Sequence, residues 1–122
     1  MDIFNAIKTG DIKAVASYIK SGGDLNVRNF YQMTPLIVAA EERQAELVKL
    51  LIPKSDINAK DKIGQTALIL ATGRNDAAIV KLLIDAKADL NVKYISGLTA
   101  YQTAVENGLN EVAQLLKKAG AK

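Results

Sequence analysis

Three aspartates, Asp24, Asp56 and Asp89, recur at intervals of 32 and 33 residues, each two positions before an asparagine. A set of carboxylates could carry acid–base chemistry. Nothing else in the chain supports it. The 122 residues include no histidine and no cysteine, which removes the commonest general base, the commonest zinc ligand and any thiolate nucleophile. The glycines of "TGRND" and "SGGD" do not form a phosphate loop, because no G-x-x-x-x-G-K-[ST] or G-x-G-x-x-G is present. Without a credible nucleophile–base–acid set, no catalytic residue, metal ligand or cofactor is expected. The regular spacing suggests a plainer role: Asp and Asn bond to nearby backbone amides and shape turns.

The elements around those turns keep the same period. Thr34, Thr66 and Thr99 are separated by 32 and 33 residues, as are Asn26, Asn58 and Asn91, and each Asn precedes the next Thr by 8. In the same register Met1 falls on Thr66, Gly10 on Asn75, Val15 on Val80, and Leu115 and Leu116 on Leu82 and Leu83. Four units result, approximately 1–28, 29–60, 61–93 and 94–122, the second one residue shorter near Pro53.

Each unit reads as two short helices. Thr34 can cap the first through its hydroxyl, and Pro35 stands where a missing N–H is harmless. Apolar residues such as Leu36, Ile37 and Ala40 then follow at helical spacing. Gly10, Arg43, Asn75 and Gly108 occupy the break. Gly and Asn suit a left-handed residue there, whereas Arg43 is the odd member. Asp11 and Asp76 can cap the second helix, which carries "ELVKLLI", "AIVKLLI" or "EVAQLLK". Its apolar coverage is broad enough for a helix held between two neighbours. The leucine pairs Leu50/Leu51, Leu82/Leu83 and Leu115/Leu116 are expected to pack between units.

Composition agrees. The chain is 49% hydrophobic but only 5% aromatic, with no Trp. Its core must come from Leu, Ile, Val and Ala, which favours closely spaced helices. Sixteen cations against 13 anions give a net charge of +3, a mixed surface rather than a nucleic-acid footprint. No apolar run approaches the ~18 residues of a membrane span, and the start "MDIFNAIKTG" lacks a signal-peptide pattern. A cytoplasmic location is the expectation, with a removed leader as the alternative.

The T-P-L, A-A, I-V-x-L-L and closing A-D-x-N elements, carried by "TPLIVAA", "AELVKLLI", "TALILAT" and "AIVKLLIDAKADLN", resemble the ankyrin repeat over essentially the whole chain. The resemblance implies an all-α solenoid: four helix-turn-helix units, eight helices, with β-hairpin-like fingers between units. The chain departs from the family pattern in places. Ile37, Ile69 and Gln102 stand where the family has His, Gln32 replaces a finger glycine, and Thr99-Ala100-Tyr101 replaces Thr-Pro-Leu. Weakened local turns and caps are expected there. Gln114, Lys117 and Lys118 make the last helix polar enough to act as a cap, so a complete array is expected.

The resemblance also implies binding of another protein on the concave face. Its finger residues would be Arg28, Phe30, Tyr31 and Met33; Lys60, Lys62, Ile63 and Gln65; and Lys93, Ile95, Ser96 and Leu98. The neighbouring helix ends offer Lys8, Thr9, Glu41, Glu42, Gly73, Arg74, Glu106 and Asn107. Phe30, Tyr31, Met33, Ile63, Ile95 and Leu98 are apolar where a finger should be wet. They either contact a partner, as aromatic hot spots do, or fold onto the next finger. Arg28, Lys60 and Lys93 form a row with Lys62 alongside. That row either keeps the loops solvated or attracts an acidic partner. A monomer that inhibits, protects or tethers its partner is the expectation. The alternatives are a regulatory or capping piece of a larger ankyrin-containing protein, a nucleic-acid binder, which interleaved Glu41, Glu42 and Glu106 disfavour, and an enzyme.

Overall fold

Thr34, Thr66 and Thr99 each begin a helix in the computed structural model, which describes residues 2–122. Their hydroxyls accept from the amides of Ile37, Ile69 and Gln102 at 3.4, 3.3 and 3.2 Å. Met1, placed on Thr66 by the repeat register, lies outside the described residues; Asp2 caps the first helix instead, accepting from the Phe4 amide at 3.0 Å. The Gln102 departure does not weaken its cap. The side chain returns to the Thr99 amide at 3.1 Å and completes a capping box.

The order is α1 (Ile3–Thr9), α2 (Ile12–Lys20), α3 (Pro35–Glu41), α4 (Ala45–Leu51), α5 (Ala67–Gly73), α6 (Ala77–Asp85), α7 (Ala100–Glu106) and α8 (Asn110–Lys118). A 3₁₀ turn over Ile52–Lys54 extends α4, at the place where the second unit is one residue short. Asp11 and Asp76 cap α2 and α6 as expected, accepting from Ala14 and Ile79 amides at 3.0 and 3.1 Å. Gln44 and Leu109, their counterparts, make no side-chain cap.

Within each unit a left-handed residue joins the two helices. Gly10, Arg43, Asn75 and Gly108 have φ of 72°, 57°, 54° and 68°. Arg43 therefore takes the conformation its side chain disfavours, at a cost of ~1–2 kcal/mol. The following amide closes the same backbone bond in every unit, to the carbonyls of Ala6, Ala39, Ala71 and Ala104, the 6→1 link that ends a helix. The shared bond holds Arg43 in place, aided by its Nε contact to Asp76 Oδ2 of the next unit at 3.3 Å.

First helices pack on first helices (α1, α3, α5, α7) and second on second (α2, α4, α6, α8), with each pair also packed internally. One continuous core follows. Ala6, Ala39, Ala71 and Ala104 are buried at one register position, where a small residue lets helices approach closely. Leu51, Leu83 and Leu116 are fully buried. Their partners Leu50, Leu82 and Leu115 also pack against the core, as expected, but are only half buried. The two leucines lie ~100° apart on a helix, so only one of them faces the neighbouring layer squarely.

The fourth unit presents a different outer face. Ile37 and Ile69 are buried, whereas Gln102 at that position is exposed. Ile52 and Ile84 are half buried where Lys117 is exposed. Gln114 and Lys118 are exposed too, but Lys49 and Lys81 are already polar at the Gln114 position, so Gln102 and Lys117 are the informative changes. Val105 is 55% exposed, while Ile7, Ala40 and Thr72 at its position are completely covered.

Candidate functional site

Each finger is built on an Asx turn. Asp24, Asp56 and Asp89 accept from the amides of Asn26, Asn58 and Asn91 at 2.8, 3.0 and 2.9 Å, so these carboxylates shape turns as expected. Farther along, Asn29 Oδ1 accepts from the Tyr31 and Met33 amides, and Asp61 Oδ1 from those of Ile63 and Gln65, at 2.8–3.0 Å. Tyr94 holds the equivalent place in the third finger and braces no amide of that turn. Its hydroxyl lies 3.4 Å from Thr103 Oγ1. Hydrogen bonds from Ser96 first and Thr103 second hold its phenol below the ordinary value.

The fingers are looped turns, closed by backbone bonds from Asn29 to Met33, Asp61 to Gln65 and Tyr94 to Leu98. Gln32, Gly64 and Gly97 turn them with φ of 63°, 85° and 83°, so Gln32 adopts the glycine conformation. Adjacent fingers are also joined. The Lys62 amide donates to Tyr31 O at 3.0 Å, and the Ile95 amide to Ile63 O at 3.1 Å. Arg28 Nη1 adds a third link, donating to Gln32 O at 2.6 Å and to Lys60 O at 2.7 Å. The Arg28 guanidinium thus fastens the first finger to the second, while Lys60 and Lys93 project into solvent.

The apolar finger residues divide into two groups. Met33, expected to be wet, is only 8% exposed. It faces the core just before the helix start, and its counterparts Gln65 and Leu98 are half buried. That position looks inward because the chain must turn down into the helix there. Phe30, Tyr31, Ile63 and Ile95 remain 82%, 61%, 43% and 78% exposed. Phe30 and Tyr31 pack edge to face, with ring centroids 5.5 Å apart and planes at 87°, a favourable aromatic geometry. Lys62 Nζ lies 5.7 Å from the Phe30 ring centre, within cation–π range. Phe30 thus touches the next finger through Lys62, and all four residues still face solvent.

Below the first two fingers lies a groove of about 400 Å³. Tyr31 and Ile63 form its finger wall, and Met33 and Val38 its floor. Lys8, Glu41 and Glu42, at the ends of α1 and α3, close the helix side. Arg74 Nη2 reaches Glu41 Oε1 at 3.6 Å, so Arg74 braces adjacent units. Only these two ion pairs, Arg43–Asp76 and Arg74–Glu41, occur among the described residues. Sequence reading missed the structural ties of Arg28 and Arg74, since a periodic row of cations carries no sign of which carbonyl or carboxylate each one meets.

No cluster of three or more potential metal ligands occurs among the described residues, and none of the described helices is long and apolar enough to cross a membrane. A family model for ankyrin repeats (three copies) matches residues 3–94 and 46–122. No curated protein matches the chain.

Proposed function

Because the chain belongs to the ankyrin-repeat family, whose arrays are generally protein–protein interaction modules, we propose that it binds a partner protein through its finger face and thereby inhibits, protects or tethers that partner. The exposed Phe30–Tyr31 pair carries the reading. Two aromatic rings set edge to face at a finger tip expose a large apolar surface, and covering it with a partner would be favourable. Such rings supply much of the energy at interfaces. Ile63 and Ile95 extend the apolar ridge along the next two fingers.

The charge of the ridge suggests the partner's surface. Lys60, Lys62 and Lys93 stand beside the apolar residues and are exposed, and none takes part in an ion pair among the described residues. A partner with an acidic patch would meet them at rim positions, where charge chiefly raises the association rate.

Two measurements test the reading. With the purified chain as bait, Phe30→Ser together with Tyr31→Ser should abolish capture of a specific partner while thermal melting stays near wild type; retained capture would move the site elsewhere. Lys60→Glu with Lys93→Glu should slow association, most at low salt. An unchanged rate would leave the lysine row with solvation of the loops alone.

A further inference from the structure

The break between the two helices of the last unit differs from its counterparts in chemistry. Asparagine is among the thermolabile residues, and of the asparagines here only Asn107 is followed by a glycine. Elsewhere the next residue is Ala, Val, Phe, Asp or Glu, whose side chain crowds the backbone nitrogen behind the asparagine. No aspartate precedes a glycine. We propose that Asn107 is a site of spontaneous covalent modification, in which its side-chain amide is lost and the α7–α8 junction acquires an aspartyl or isoaspartyl linkage. This chemistry needs no partner protein, so it stands apart from the finger-face reading.

The reaction balances with water alone. The Gly108 amide gives its proton to hydroxide, and its nitrogen attacks Asn107 Cγ. The new C–N bond closes a succinimide ring, and the Cγ–Nδ2 bond breaks to release ammonia. Water then opens the ring. Cleavage of the bond to Cγ leaves aspartate at position 107. Cleavage of the bond to the main-chain carbonyl leaves isoaspartate, in which the chain runs through the side-chain carbon.

The structure favours that step at this place in two ways. Asn107 and Gly108 are exposed, and nothing stands within 4 Å of where a Cβ on Gly108 would lie, so hydroxide can approach the amide. The junction is also less braced than the others. Gly10 lies against the Gln44 side chain, Arg43 is tied to Asp76, and Asp76 caps α6. Leu109 makes no side-chain cap, and neither ion pair among the described residues reaches this break. The Gly108 and Leu109 amides donate to the carbonyls of Val105 and Ala104 at 3.2 and 2.8 Å, beside a Val105 that is itself 55% exposed. With Asn107 at ψ of 7°, the Gly108 nitrogen is engaged with Val105. That bond must open before attack, so the reaction reports opening of the turn.

Both products weaken the last unit. Aspartate adds a negative charge beside Glu106 at the C-terminal end of α7, where the helix dipole disfavours anions. Isoaspartate lengthens the main chain between α7 and α8. The Leu109-to-Ala104 bond then loses its register, and α8, which carries the buried Val112 and Leu116, is held less firmly.

Incubation of the purified chain in mildly alkaline buffer, then labelling with a protein isoaspartyl methyltransferase and peptide mapping by mass spectrometry, tests the site. Isoaspartate should accumulate at position 107 and at no other asparagine, and Asn107→Gln should abolish it. Because a backbone hydrogen bond must open first, the chain unfolded in guanidinium chloride should react at least ~5-fold faster. Aged wild type should melt below fresh protein, while aged Asn107→Gln melts unchanged. Accumulation at another asparagine, or none in the folded chain once the unfolded one has reacted, overturns the site. Equal rates in the two states overturn the need for opening, and unchanged melting of the modified chain overturns the weakening of the last unit.

Discussion

Single residues show where this chain departs from its own repeat and what each departure costs. Thr72 is completely buried, and its hydroxyl has no hydrogen-bond partner among the described residues. Ile7 and Ala40 are apolar at the same position. An unpaired buried hydroxyl costs ~1–3 kcal/mol, and valine has nearly the same shape. Thr72→Val should therefore raise stability by about 1–2 kcal/mol in urea unfolding; no gain would mean that a water or the Leu68 carbonyl already satisfies the hydroxyl. The left-handed Arg43 and Gln32 belong to the same scale. Neither residue type announces such a conformation, and both adopt it because the repeat fixes the backbone around them.

Elements were legible to different degrees. The threonine caps, the Asp24, Asp56 and Asp89 turns and the helix pairs follow from spacing and side-chain chemistry, so they could be read in advance. Which leucine of each pair faces the neighbouring layer depends on helix rotation within the stack, and sequence periodicity resolves that poorly in helices of 7 to 9 residues. The inward turn of Met33 was hidden for a similar reason: it sits at the junction of finger and helix, where neither pattern governs. The fingers themselves differ. Asn29 and Asp61 each brace two amides, but the corresponding Ser96 and Leu98 amides have no such acceptor, because Tyr94 replaces the short polar side chain. A hydrogen bond contributes ~1 kcal/mol, so native-state hydrogen exchange should be roughly 5-fold faster at Ser96 and Leu98 than at Ile63 and Gln65. Tyr94→Asn should slow it; equal rates in all three fingers would show that the backbone bonds alone hold the turns.

Across the whole molecule, stability is a sum of units and the layers between them. Leu83 is fully buried and Leu82 half buried, so Leu83→Ala should cost about 2–5 kcal/mol, and Leu82→Ala clearly less. Equal losses in denaturant titration would contradict that layered arrangement. The first figure is a large part of the total for a chain this size, given the usual ~5–15 kcal/mol, so lost binding in Leu83→Ala would report unfolding rather than contact. The finger-to-finger amide bonds and the Arg28 tie bear on shape as well as stability. They act like stitches between neighbouring leaves: two adjacent fingers cannot be drawn apart without breaking them, so each unit holds the next at a fixed spacing.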